Sequence, residues 1–241
     1  MELLGEIWRR ATAVQQPPPV EVVLGAALAA FVLVVVPGTW PAARMLVTIV
    51  HEGAHGFVAL LAGRRLQGIR LHSDTSGLTV SKGPARGPGM VATLAAGYLG
   101  PAVVGLVAAL LLAAGHALAL LWLVVLVLGL MLLQIRNLFG LVVLLGAGAV
   151  MVGVSWYLSA PVQSGIAYLI TWLLLIAAPK PVVELIGRRT RDRSGTSDVD
   201  QLARLTWVPG VVWAGLFLLA NLAGLAVGVT VLVPSLLTGR G

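Results

Sequence analysis

Long apolar runs dominate this chain and leave it few folds to choose from. Seven stretches, roughly residues 20–37, 44–62, 90–113, 117–134, 138–158, 163–179 and 209–234, are nearly free of charge. Each approaches or exceeds the length a helix needs to cross the hydrocarbon of a bilayer, about 20 residues. Charged side chains make up only 10% of the 241 residues and hydrophobic ones 59%, with mean hydropathy +0.98. A soluble domain carries about 25% charged residues, so a water-soluble globular fold is excluded. The expected fold is all-α and polytopic, a single integral membrane domain over residues 1–241. It has about seven spans, or six if the short stretch 163–179 does not fully cross.

The remaining charge is clumped. Most of the net +7 sits in two segments, 63–89 and 180–208, read as cytoplasmic loops. Seven spans with the N-terminus inside leave only Arg44 and Arg240 on the outer side, together with the C-terminus. The basic residues from Arg9 and Arg10 through Arg64, Arg136 and Lys180 to Arg204 then face the cytoplasm, as the positive-inside rule requires. Pro17, Pro18 and Pro19 separate Arg9 and Arg10 from the first apolar run, and no small-residue cleavage site follows it. Residues 1–19 therefore read as a cytoplasmic tail or an interfacial helix rather than a signal peptide. Trp40, Trp207 and Trp213 stand near expected span ends, as interfacial anchors do. Arg188, Arg189, Arg191 and Arg193 suit anionic lipid headgroups, and nucleic acid is not needed to explain the basic balance. The absence of cysteine excludes disulfides, thiolate ligands and a thiol nucleophile.

One apolar run is interrupted by His51-Glu52-Gly53-Ala54-His55, an HExxH sequence. With four histidines in the chain, chance places this pattern in roughly one such chain in a thousand. On a helix, imidazoles at i and i+4 project from one face and can share a metal ion, typically zinc. Glu52 between them suits a general base that takes a proton from water and passes it to a leaving amine. Three ionisable groups inside a span are costly and mark a functional site. Hydrogen-bonding glue between helices would not need this spacing.

An HExxH within a membrane helix resembles the site-2 protease family of intramembrane zinc metalloproteases. More narrowly, the chain resembles its compact bacterial, peptidase M50B-like branch. The matching stretches are Thr48–Gly56, Ser76-Gly-Leu-Thr79, Ala96-Gly-Tyr-Leu-Gly100, Arg136-Asn-Leu-Phe-Gly140 and Ser197-Asp198. The resemblance implies a zinc endopeptidase in a bacterial plasma membrane whose substrate is a transmembrane or membrane-proximal segment of another protein.

Catalytic zinc usually takes three protein ligands. The family's third is an Asp shortly after an Asn, but residues 138–154, which follow Asn137, contain no acid. Asp198 is the preferred substitute, in the Ser-Asp motif that the resemblance assigns to this branch, with Asp200 next and Asp74 third. Ser197 and its acids also read simply as a helix start. Depth poses a difficulty, since His55 lies about 10 Å inside the end of its helix, so the segment around Asp198 has to dip back into the protein.

Asp74-Thr-Ser-Gly77, between two β-prone runs, predicts a small hairpin in the first loop. Family resemblance sets such a hairpin beside the site, where its edge would hold an unwound substrate strand; a plain surface hairpin, held by its basic residues at the lipid headgroups, is the other reading. The resemblance also gives Asn137 a role as oxyanion donor or substrate contact, against the plainer reading of a helix-boundary residue. His72 and His116 read as surface residues, Arg136 as an interfacial cation, and Gly97, Gly100 and Gly105 as helix-packing positions. Two alternatives stay open. One is a catalytically silent membrane scaffold that retains the motif, and the other is a metal-binding transporter or sensor. The sequence leaves the oligomeric state open.

Overall fold

A computed structural model describes residues 2–189 and 197–234. Arg191, Arg193, Arg240 and the acid Asp192 lie outside the described residues. The elements run in the order α1 (Glu2–Thr12), α2 (Val20–Val35), α3 (Trp40–Leu61), β1 (Arg65–Leu71), β2 (Gly77–Lys82), α4 (Pro88–Ala113), α5 (Ala117–Leu132) and α6 (Leu138–Tyr157). They continue with α7 (Ala160–Ala177), α8 (Pro179–Arg189), α9 (Asp198–Thr206) and α10 (Gly210–Leu232). All seven apolar stretches are thus helical, and the two strands form the expected antiparallel hairpin.

Among the described residues, fewer than seven helices are long enough to span alone. Four are: α4, α6, the 29-residue α7–α8 unit Ala160–Arg188, and α10; α2 and α3 add a fifth only if counted as one broken span. Stretch 163–179, expected to be the weakest, is therefore part of the longest helical unit. The break between α2 and α3 is a 100° bend. Pro37 and Gly38 interrupt the helix, Pro41 restarts it, and the Thr39 hydroxyl reaches the carbonyls of Leu33 and Val36, each at 3.1 Å.

Packing shows that this bend is not a reversal. α2 runs alongside α7 in the same direction, with Val22 beside Gly165 near their starts and Lys180 Nζ donating to the Val34 carbonyl near their ends. α10 opposes α7, since Asn221 meets Ala178 and Gly228 meets Leu175. α10 follows α4, with Asn221 donating to the Tyr98 carbonyl and Gly224 lying against Ala102 and Leu106. α3 opposes α4, with Ala62 at Gly89 and Ala54 at Gly100. Both α2 and α3 therefore run counter to α4, and with the 100° bend between them they count as at most one broken span, where the apolar pattern implied two spans. α5, 16 residues long, is a shorter apolar helix beside these spans.

Hydrogen bonds place the N-terminal segment away from the hairpin. Gln15 donates to the Gly115 carbonyl at 2.8 Å and accepts from the Leu118 amide at 3.0 Å, and Arg10 reaches the Trp156 carbonyl. The N-terminal segment thus lies at the end formed by the α4–α5 and α6–α7 turns. At the other end the hairpin is bound to the α5–α6 turn: Ile69 donates to the Gln134 carbonyl at 2.8 Å and Arg136 donates back to Ile69 at 2.9 Å. The N-terminus and the hairpin, expected on one side, are at opposite ends. Arg44 also departs from expectation. It pairs with Glu184 of α8 at 3.3 Å, although the seven-span scheme set these two residues on opposite sides. Trp40 is no interfacial anchor, being only 8% exposed, with its indole donating to Glu184 and the Lys180 ammonium over its ring. Trp213 packs on Phe217, whereas Trp207 is 92% exposed.

Segment 180–208 is largely helical where described. Val199 and Leu202 of α9 are fully buried in a cluster with Leu94, Val182, Ala214 and Phe217. This cluster draws α9 in among α4, α8 and α10, and so supplies the return into the protein that Asp198 requires.

Candidate metal centre

α3 presents His51 and His55 on one face, as the i, i+4 spacing dictates. Ser197 starts α9, its hydroxyl accepting from the Asp200 amide and donating to the Asp200 carboxylate at 2.6 Å. That cap occupies Asp200 and leaves Asp198, in the first turn, facing α3. The helix-start reading and the clustering of Asp198 with the histidines thus hold together, through different residues.

His51 Nε2, His55 Nε2 and Asp198 Oδ2 form a nearly equilateral triangle, with sides of 3.1, 3.2 and 3.2 Å. Ligand atoms in a tetrahedral zinc site stand about 3.3 Å apart when bonds are near 2.05 Å, so the donor set and its spacing fit such an ion. The tautomer fits as well. His55 Nδ1 donates to the Thr93 carbonyl at 2.7 Å, which in the neutral ring leaves the Nε2 lone pair directed into the triangle. Burial opposes ionisation of Asp198, yet hydrogen bonds and charge from both histidines hold its carboxyl well below the usual carboxylate range. A ligating carboxyl has to be ionised. His51, His55 and Asp198 are the group able to hold a metal ion among the described residues.

Helix α4 closes one side of the triangle. A Cβ at Gly97 would lie 2.4 Å from His55 Nε2 and 2.6 Å from His51 Cε1, so only glycine lets α4 approach the imidazoles this closely. The Tyr98 ring stands edge-on to His51 with centroids 5.0 Å apart, and stacks on Phe217. Gly100 meets Ala54, and Gly105 packs against Leu175, as packing glycines do.

Glu52, only 4% exposed, belongs to the hairpin side of α3. Thr79 of β2 donates from its hydroxyl to Glu52 Oε2 at 2.7 Å and also lies 3.0 Å from the Glu52 carbonyl. Gly77 covers the same carboxylate, since a Cβ there would lie 2.6 Å from Oε1. Thr79 and Gly77 entered the sequence reading only as parts of a short motif. Alternation along β2 sets 77, 79 and 81 on one face, but nothing in the sequence says that this face meets Glu52.

Asn137 sits at the hairpin rather than at the triangle. Its Nδ2 donates to the Leu71 carbonyl at 2.6 Å and its Oδ1 accepts from the Leu71 amide at 3.2 Å, a side chain acting as the next residue of a strand. Arg136 bonds the Leu133 and Ile135 carbonyls. A Cβ at Gly68, whose φ is +146°, would strike the Arg136 side chain, so glycine is required where this turn presses on the β1 bulge. Asp74 is in the exposed hairpin turn, away from the histidine pair. Hydrogen bonds from the Ser76 hydroxyl and amide hold its carboxyl below the usual range. His72 shares that turn, and His116 precedes α5 at the far end.

No curated protein and no solved structure matches the chain significantly. A family profile, Peptidase M50B-like, matches residues 24–228, from α2 to α10 and including every residue of the triangle. With most of its length matched, and an HExxH helix facing a half-buried acid inside a bundle of apolar helices, the chain belongs to the Peptidase M50B-like family.

Proposed function

We propose that the protein is an intramembrane zinc endopeptidase, with zinc held by His51, His55 and Asp198 and with Glu52 as the general base. The observation that carries this reading is the triangle of ligand atoms, all within 3.2 Å of one another, beside a buried carboxylate on the next residue of the same helix. A zinc ion in that position supplies a Lewis acid that polarises a peptide carbonyl and acidifies water. Glu52 takes a proton from the attacking water as its oxygen bonds the carbonyl carbon. It then delivers that proton to the amide nitrogen as the C–N bond breaks, releasing an acid and an amine.

The substrate is an extended segment of another membrane protein, added as a strand to β2. Ile69 and Leu71 direct their main-chain groups at the α5–α6 turn and Asn137, so they form non-hydrogen-bonded pairs with Thr79 and Gly77. The amides and carbonyls of Gly77 and Thr79 therefore point away from β1, and among the described residues nothing bonds them. This open edge runs beside Glu52 and suits β-augmentation. Asn137 acts by fixing the opposite edge. The hairpin end carries Arg64, Arg65, Arg70, Lys82, Arg86 and Arg136, whereas the other end has Arg9 and Arg10. Positive charge thus favours a cytoplasmic site and an N-terminus outside.

Metal analysis of the detergent-purified protein tests the centre. About one zinc per chain is expected in the wild type and in Glu52→Gln, and little in His55→Ala or Asp198→Ala. Zinc retained by Asp198→Ala would remove that residue from the ligand set, and a zinc-free wild type purified without chelators would remove the protease reading.

A further inference from the structure

We propose that Thr79 is a positioning residue for Glu52, tying the base to the strand that receives the substrate. The inference rests on the proposed protease reading, but its geometric core does not. Thr79 has two separate engagements. Its hydroxyl holds Glu52 Oε2 at 2.7 Å and stands 3.0 Å from the Glu52 carbonyl, so it meets both ends of that residue. Its main chain lies on the open edge of β2, opposite Ile69, whose own amide and carbonyl are bonded to the α5–α6 turn. Gly77, the other residue of that edge, leaves no room for any side chain between the strand and the carboxylate. The two residues whose backbone would receive a substrate chain are thus the two that bear on the catalytic carboxylate. A carboxylate with three rotatable bonds, carried by α3, is thus gripped from the hairpin rather than from its own helix.

This arrangement separates orientation from docking. Loss of the hydroxyl frees Glu52 and leaves the main-chain edge intact, so turnover should fall while substrate affinity stays. Disruption of the hairpin would damage both.

The test compares Thr79→Val, which keeps the shape, with Thr79→Ser, which keeps the hydroxyl. Two readouts are used. The first needs no substrate: infrared difference spectroscopy of wild type minus Glu52→Gln isolates the Glu52 carboxyl band. That band should shift in Thr79→Val and return in Thr79→Ser. The second is cleavage of fluorescein-labelled casein, an unfolded chain, by the zinc-loaded protein in detergent. Here kcat should drop about 10- to 100-fold in Thr79→Val, the range seen when a group that orients a catalytic residue is removed. KM and zinc content should be unchanged, with recovery in Thr79→Ser. A Thr79→Val protein with the wild-type band and wild-type kcat overturns the proposal, and so does a rise in KM with kcat unchanged. If wild type cleaves casein no faster than Glu52→Gln, the protease reading fails on this substrate, and the infrared band alone decides whether Thr79 holds Glu52.

Discussion

Substituting Gly97 by alanine provides a direct measurement of how tightly α4 clamps the centre. The added methyl would sit 2.4 Å from His55 Nε2, 2.5 Å from His55 Cε1 and 2.6 Å from His51 Cε1, where ordinary contact begins near 3.4 Å. Relief requires a shift of about 1 Å, several times the ±0.2 Å tolerance of a metal–ligand distance. Overpacking of this kind costs about 1–3 kcal/mol. If the imidazoles yield, that energy appears as metal affinity weakened about 5- to 140-fold. Gly100→Ala is the control, because its methyl would strike Ala54 Cβ at 2.5 Å on the same pair of helices and touch neither histidine. Equilibrium competition with a graded chelator reads affinity, and thermal unfolding of the metal-free proteins in the same detergent reads packing. Gly97→Ala should lose metal affinity well beyond Gly100→Ala, with comparable losses in stability. Equal affinity losses in the two variants would refute the argument by tracing the effect to helix separation, and a wild-type affinity in Gly97→Ala would refute the geometry itself.

Three other outcomes follow from the fold. The chain has no cysteine, so single cysteines report sidedness: a membrane-impermeant maleimide applied to intact cells should label Gly5→Cys and not Ser73→Cys. Labelling of both, or of Ser73→Cys alone, would contradict the proposed orientation. Asn137→Ala removes both bonds to Leu71, loosening the hairpin by about 1–3 kcal/mol. Hydrogen exchange at the Leu71 amide should accelerate accordingly, and unchanged exchange would mean that the strap is not holding β1. Asp74, whose carboxyl is lowered by Ser76, orders the hairpin turn above the ordinary aspartate pKa, and the effect fades as pH falls through the lowered value. Its carboxyl carbon resonance should titrate below that of an unstructured aspartate and move part of the way back toward the ordinary range in Ser76→Ala, which keeps the amide bond; identical midpoints in the two proteins would exclude the hydroxyl's contribution.

Much of this was legible without coordinates because the signals are local. A bilayer imposes a fixed length on apolar helices, so every spanning stretch stood out. Spacing along one helix likewise brought His51 and His55 together with Glu52 between them, and turn chemistry marked the hairpin. What escaped depends on elements distant in sequence. Apolarity records that α2 and α3 avoid water but not whether the chain reverses between them; only packing of α2 against α7 and of α3 against α4 shows that it does not, and this moves the N-terminus to the other end. Arg44 and Glu184, assigned to opposite sides by counting, find each other for the same reason. Asp198 was one of several candidate acids until burial of Val199 and Leu202 carried its helix into the bundle. Thr79 remained an ordinary strand residue until β2 was laid against α3. Sequence by itself determined which segments leave water and which residue types can bind a metal, because solvation and helical spacing act residue by residue. Tertiary structure decided that Asp198, preferred on its motif, rather than Asp200 or Asp74 meets the histidine pair, and that β2 holds Glu52, because those depend on where packed helices bring distant segments together.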